Sequence, residues 1–119
     1  MKTVFIVDDN DTNLMSAKQA LEGYYKTYAA NSAARMFKLL EKITPDLILL
    51  DIEMPEMTGL EAMEKLKADT KTVGIPIILL TAHSDKETVV QGLAQKASDY
   101  VVKPFAPHML IKRIQTHIG

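Results

Sequence analysis

Four short runs of the chain are apolar at every position: Val4-Phe5-Ile6-Val7, Leu47-Ile48-Leu49-Leu50, Ile77-Ile78-Leu79-Leu80 and Tyr100-Val101-Val102. A strand with one wet face alternates apolar and polar residues. A run without alternation belongs to a strand covered on both faces, as in a parallel sheet with helices above and below it. A fifth and more polar run, Tyr24 to Ala30, reads as an edge strand. Between the runs lie segments whose apolar residues recur three or four apart, the spacing of one helical face. They are Leu14, Ala17 and Leu21; Ala33, Phe37 and Leu40; Leu60, Met63 and Leu66; Val89, Val90 and Leu93; and Leu110, Ile114 and Ile118. Strand and helix thus alternate five times. Right-handed crossovers turn that alternation into one doubly wound α/β domain over residues 1–119, with a five-stranded parallel sheet.

The punctuation agrees. Asn31 or Ser32 can cap the second helix, Ser84 with Glu87 forms a capping box before the fourth, and Pro107 suits a first helical turn. Pro45 and Pro76 stand just ahead of apolar runs, where a missing amide donor does least harm to a ladder. Gly92 weakens the fourth helix by roughly 1 kcal/mol relative to Ala.

Composition narrows the function. The chain has 119 residues, a size typical of one domain. With no Cys, catalytic thiols and zinc-thiolate sites are excluded. Fourteen Lys plus Arg against 15 Asp plus Glu give no basic excess, which argues against direct nucleic-acid binding through phosphate neutralisation. The first apolar run is too short for a signal peptide, and no other run approaches the ~18 residues of a membrane span, so a cytoplasmic protein without membrane attachment is expected.

In a doubly wound sheet, ligands bind outside the carboxyl ends of the strands. The residues that end the apolar runs are therefore informative: Asp8 and Asp9 after Val4-Phe5-Ile6-Val7, Asp51 after Leu47-Ile48-Leu49-Leu50, Thr81 after Ile77-Ile78-Leu79-Leu80 and Lys103 after Tyr100-Val101-Val102. Unit charges about 4 Å apart repel by roughly 4 kcal/mol at an effective dielectric near 20. Three gathered carboxylates therefore call for a cation, and a hard divalent ion such as Mg²⁺ suits oxygen ligands and phosphoryl chemistry. A carboxylate beside such an ion can attack phosphorus, with Lys and hydroxyl groups neutralising the phosphoryl oxygens. Each residue alone could be an ordinary turn or loop residue; their joint placement at four strand ends carries the reading.

At this point the sequence resembles the receiver domain of two-component response regulators over essentially its whole length. The residues that carry the resemblance are Val7-Asp8-Asp9-Asn10, Leu50-Asp51-Ile52-Glu53-Met54-Pro55 with Gly59, Leu80-Thr81-Ala82, and Val102-Lys103-Pro104-Phe105. The resemblance implies a flavodoxin-like sheet with strand order 2-1-3-4-5 and a signalling module, not an enzyme. It implies that Asp51 accepts a phosphoryl group from a sensor histidine kinase or a histidine phosphotransfer protein. Asp9, Asp51 and the backbone carbonyl of Glu53 would hold Mg²⁺, with Asp8 supporting the ion directly or through water. Lys103 and Thr81 would contact phosphoryl oxygens, and the Lys103-Pro104 bond would be cis. Thr81 and Tyr100 would form the switch that repacks the fourth helix, fifth strand and last helix. Glu53 and His83 would tune the lifetime of the aspartyl phosphate. The resemblance allows a downstream output domain or target protein, and a dimer through the switching face.

Three further expectations complete the reading. His108 and His117 are surface residues without metal-ligand spacing. The Met residues read as packing and not as cofactor ligands, with Met63 on the core face of its helix and Met54 and Met57 in the loop after Asp51, where contact with a partner kinase is expected. The competing function is an aspartate-nucleophile phosphohydrolase of haloacid-dehalogenase type. It is disfavoured because those enzymes place a second Asp two residues after the nucleophile, where this chain has Glu53, and carry their acidic pair late in the chain.

Overall fold

The computed structural model describes residues 1–82 and 97–119. Its strands are β1 (Thr3–Val7), β2 (Lys26–Ala30), β3 (Leu47–Asp51), β4 (Ile77–Thr81) and β5 (Asp99–Val102). The helices among the described residues are α1 (Asp11–Leu21), α2 (Ala33–Leu40), α3 (Gly59–Ala68) and α4 (Pro107–Ile118). All strand pairs are parallel, in the order β2-β1-β3-β4-β5. The doubly wound sheet and its 2-1-3-4-5 order are thus as expected. The fourth predicted helix, with its Ser84–Glu87 box, Gly92 and the neighbouring His83, falls outside the described residues.

The apolar runs divide between two cores by the two-residue alternation of strand side chains. Phe5, Val7, Ile48, Leu50, Ile77 and Leu79 pack with Met36 of α2 and Met63 and Leu66 of α3. Val4, Ile6, Leu47, Leu49, Ile78 and Leu80 pack on the other face with Leu14, Ala17 and Leu21 of α1 and Leu110 and Ile114 of α4. Each fully buried aliphatic side chain contributes roughly 1.5–3 kcal/mol of transfer free energy, so this double coverage is the main source of stability.

The run Tyr100-Val101-Val102 differs from expectation. Only Val101 is buried; Tyr100 is 37% exposed and Val102 41% exposed. The reason is topological, because β5 pairs with β4 alone and lies at the sheet's edge. Apolar continuity reports that a strand can be covered, whereas its position in the sheet decides whether it is.

The caps follow local chemistry. Asn10 accepts from the Asn13 amide at 3.0 Å, and Ser32 accepts from the Arg35 amide at 3.2 Å. Pro107 occupies the first turn of α4. Thr58 with Glu61 at the start of α3 forms a reciprocal capping box, which Thr-Gly-Leu-Glu spells in the sequence. Before it, Glu56 has φ 69° between Pro55 and Met57, whose amide donates to the Pro55 carbonyl at 2.8 Å. This is a three-residue γ-turn with the strained, left-handed sign.

Candidate functional site: an acidic cluster at the strand ends

The register of the sheet brings the site together. Val7 is opposite Leu50, and Asp51 is opposite Leu80, so the residues that follow β1 and end β3 reach the same rim. The backbone beyond the strands is fastened as well: the Asp8 amide donates to Ala30 and the Ile52 amide to Leu80. The Lys103 amide donates to the Thr81 carbonyl at 2.7 Å. The Lys103-Pro104 bond is cis, as expected from the resemblance.

Three carboxylates meet there. One oxygen each from Asp8, Asp9 and Asp51 lie within 4.8 Å of one another. Asp8 and Asp51 are only 1% and 2% exposed, whereas Asp9 is exposed. Lys103 Nζ lies 3.2 Å from Asp8 Oδ2 and 3.1 Å from Asp51 Oδ1. The other oxygen of Asp8 accepts from the Asn10 amide at 3.0 Å. Thr81, the last residue of β4 and one beyond the Leu80 that stands opposite Asp51, is buried. Glu53 lies exposed in the loop after β3.

Burial and like charge set the electrostatics. Burial pushes the Asp51 carboxyl up to about 6, the Asp8 charge adds to the rise, and the Lys103 ammonium opposes it. For Lys103 the balance reverses. Burial works to lower its pKa, but hydrogen bonding and attraction to Asp51 and Asp8 outweigh it and the net direction is upward. At neutral pH Asp51 is therefore mostly ionised, held between a cation and a second buried carboxylate. The donor set consists of hard oxygens with net negative charge even after Lys103 is counted. It fits a hard divalent cation and does not fit a soft metal.

A consequence concerns stability without metal. Asp51 titrates near 6 in the folded protein against an ordinary value of 3.8. Between these values the folded state binds more protons than the unfolded state, so stability falls as pH rises through this window. In chelator, Asp51→Asn is expected to stabilise the protein at pH 7 by about 1–3 kcal/mol and to have little effect below pH 4. Urea unfolding at both pH values checks this, and equal effects at the two would contradict it.

Tyr100 is not a core aromatic. It borders a 280 Å³ groove on the outer side of β5, with Val102, Phe105 and Met109. Met63 is fully buried, as expected of a packing residue. Met54 is also buried and offers little surface to a partner, whereas Met15 and Met109 are exposed and do not serve the core. His117 is less idle than the sequence suggests, since its Nε2 lies 3.1 Å from Asp99 Oδ2. Arg113 donates to the other oxygen of Asp99 at 2.8 Å. Although burial opposes it, the bonds from His117, the Tyr100 amide and Arg113 hold the Asp99 carboxyl below its usual range. Helical spacing could have placed Arg113 and His117 on one face, but only the packing of α4 against β5 brings Asp99 to them.

The description "Response regulator receiver domain" matches residues 4–115. The chain is 40% identical over 116 residues to a Vibrio cholerae protein named "Probable cyclic di-GMP phosphodiesterase", covering 98% of this chain and 26% of that one. It is 39% identical over 115 residues to the phosphate regulon transcriptional regulatory protein PhoB of Pseudomonas aeruginosa, covering 96% of this chain and 50% of that one. The chain thus spans between a quarter and a half of the length of these relatives. Among solved structures, the chemotaxis protein CheY4 of Vibrio cholerae superposes with a TM-score of 0.92 at 29% identity, over 98% of each chain. No described helix is long and apolar enough to cross a membrane. Sheet order, rim chemistry and these likenesses agree, and the chain belongs to the response regulator receiver domain family of two-component signalling.

Proposed function

We propose that residues 1–119 act as one phosphoacceptor unit in which Asp51 takes a phosphoryl group from a histidine of a sensor kinase or phosphotransfer protein. The observation that carries this reading is the placement of Asp51. Its carboxylate is buried at the carboxyl end of the central strand, 3.1 Å from the Lys103 ammonium and within 4.8 Å of oxygens from Asp8 and Asp9. An Asp51 oxygen attacks phosphorus, the O–P bond forms as the P–N bond to the donor imidazole breaks, and that imidazole leaves with the electron pair and takes up a proton. Asp8, Asp9, Asp51 and the backbone carbonyl of Glu53 would hold Mg²⁺. The ion, when bound, supplies positive charge to the phosphoryl oxygens. Lys103 exchanges its bond to the free carboxylate for one to a phosphoryl oxygen, and the Thr81 hydroxyl supplies a further donor.

The same reading assigns the output. Phosphorylation replaces the single charge of the Asp51 carboxylate with a phosphoryl group carrying nearly two, a net gain of about one negative charge beside Thr81 and Lys103. The backbone bond between these residues joins the rim to β5. Movement of Thr81 toward the phosphoryl group opens space into which the half-exposed Tyr100 ring turns, and the groove along β5 and α4 changes shape. That face would serve an output domain, a target protein or a second copy of the chain. Glu53 beside the acceptor, and His83, would set how long the phosphoryl group survives. The chain is a substrate that assists its own phosphorylation, working in the cytoplasm, and not a turnover phosphohydrolase.

Intact mass after incubation with Mg²⁺ and a small phosphodonor tests this. The expected result is one added phosphoryl group that requires Mg²⁺ and is absent in Asp51→Asn. An unchanged mass in the wild-type protein, or an equal gain in the variant, removes Asp51 from the role. Release of many equivalents of product from para-nitrophenyl phosphate would favour the phosphohydrolase instead.

A further inference from the structure

The far edge of the sheet, remote from β5, carries a feature that phosphoryl transfer does not use. β2 is the last strand on that side and pairs only with β1. The flanking bonds fix which way its backbone points. The Lys26 amide donates to Lys2, and the Ala30 carbonyl accepts from Asp8, so residues 26, 28 and 30 face β1. By the alternation of a ladder, the N–H and C=O groups of Thr27 and Ala29 point outward. Ala29 is exposed and floors a groove of about 400 Å³ between β2 and α2.

The wall of this groove is basic. Arg35, Lys38 and Lys42 lie at positions i, i+3 and i+7, one face of α2 and its C-terminal extension, and all three are exposed lining residues. Among the described residues none of them has an ion-pair partner. Lys26, at the start of the strand, adds a fourth cation above the Tyr28 ring. Glu41 is the sole acidic group lining the groove, so the local balance is positive in a chain whose net charge is −1.

Cations beside an edge strand commonly serve to block pairing of identical edges. Two copies of this edge would indeed repel. The same arrangement accepts a strand of opposite charge, because the outward backbone groups supply ladder bonds and the cations supply charge complementarity. A nucleic acid would meet the cations but has no peptide groups to pair with Thr27 and Ala29. We propose that the groove between β2 and α2 is a docking site for an acidic segment of a partner protein, bound in extended form along the free edge of β2.

The probe is a capped eight-residue peptide of alternating Glu and Thr, titrated into the ¹⁵N-labelled full chain. The expected result is saturable amide shifts at Thr27, Ala29 and residues of α2, with slower hydrogen exchange at Thr27 and Ala29. Arg35→Glu with Lys38→Glu, both exposed positions, should weaken binding at least tenfold without altering phosphorylation of Asp51. A peptide with Gln in place of Glu should bind at least tenfold more weakly. Absence of shifts at these residues at millimolar peptide, or equal binding of the Gln peptide, overturns the proposal. Binding of an oligonucleotide of equal charge as tightly as the peptide, with no protection of Thr27 and Ala29, also overturns it in favour of a general polyanion surface. The phosphorylation assay on Asp51 is separate, so either reading can fail alone.

Discussion

Lys103→Met is expected to destabilise the metal-free protein at pH 7 by about 3–5 kcal/mol, the cost typical of stranding a buried charge. The ammonium is the common partner of two carboxylates that are almost fully buried, Asp8 and Asp51. Removing it leaves like charges facing each other in a poorly solvated rim. Asp51 already titrates near 6 with Lys103 present, and Lys103 acts to lower that value. Its loss therefore drives the Asp51 pKa higher. Because the folded state then holds its proton over a wider range, the deficit grows as pH rises and shrinks as the solution is acidified toward pH 4. Chemical denaturation at pH 4 and pH 7 reads this directly. The double variant with Asp51→Asn should recover most of the loss, because one of the stranded charges is gone. Mg²⁺ should bind more tightly to Lys103→Met than to the wild-type protein, since the competing cation has been removed. A loss that is equal at both pH values and is not relieved by Asp51→Asn would show that Lys103 acts through packing of its stem.

Gly59→Ala is the second large effect. Gly59 opens α3, and its amide donates to the Ile52 carbonyl at 2.8 Å. A Cβ at this position would lie 2.2 Å from the Asp51 carbonyl oxygen and 2.8 Å from the Ile52 Cα. Both are backbone atoms of the segment that carries the acceptor, so neither can yield by a rotamer change. Overpacking of this kind costs about 3 kcal/mol or more, at the upper end for small-to-large changes. That corresponds to roughly a 10 °C drop in melting temperature for a chain of this length. The relief available is a shift of α3 away from β3, which displaces Asp51 relative to Lys103, so the phosphorylation rate should fall along with stability. Gly74→Ala is the control: a Cβ there meets nothing within 4 Å. Equal melting temperatures for the two variants would show that the α3 junction is softer than its geometry indicates.

Much of the candidate site is legible in the sequence alone. Asp8, Asp9, Asp51, Thr81 and Lys103 each follow or end an apolar run, and in a parallel sheet such positions share one rim by construction. The register then sets them close enough for one ammonium to bridge two carboxylates. Gly59 carried its signal less openly, because a glycine at a helix start has several explanations and only the distance to Asp51 selects one. The Thr58–Glu61 capping box, by contrast, is spelled by four consecutive residues and needs no tertiary partner.

Local chemistry written into the chain determined the strands, the described helices with most of their caps, and the identity of the residues at the strand ends, because strand alternation, helical spacing and capping act over a few residues. The tertiary structure alone decided what depends on neighbours distant in sequence. It made β5 an edge strand with Tyr100 and Val102 half-exposed, joined Asp99 to Arg113 and His117, and set Arg35, Lys38 and Lys42 beside an unpaired strand. It also raised the pKa of Asp51 to about 6. Burial and electrostatic coupling are sums over everything packed around a group, and no short window of sequence contains that sum.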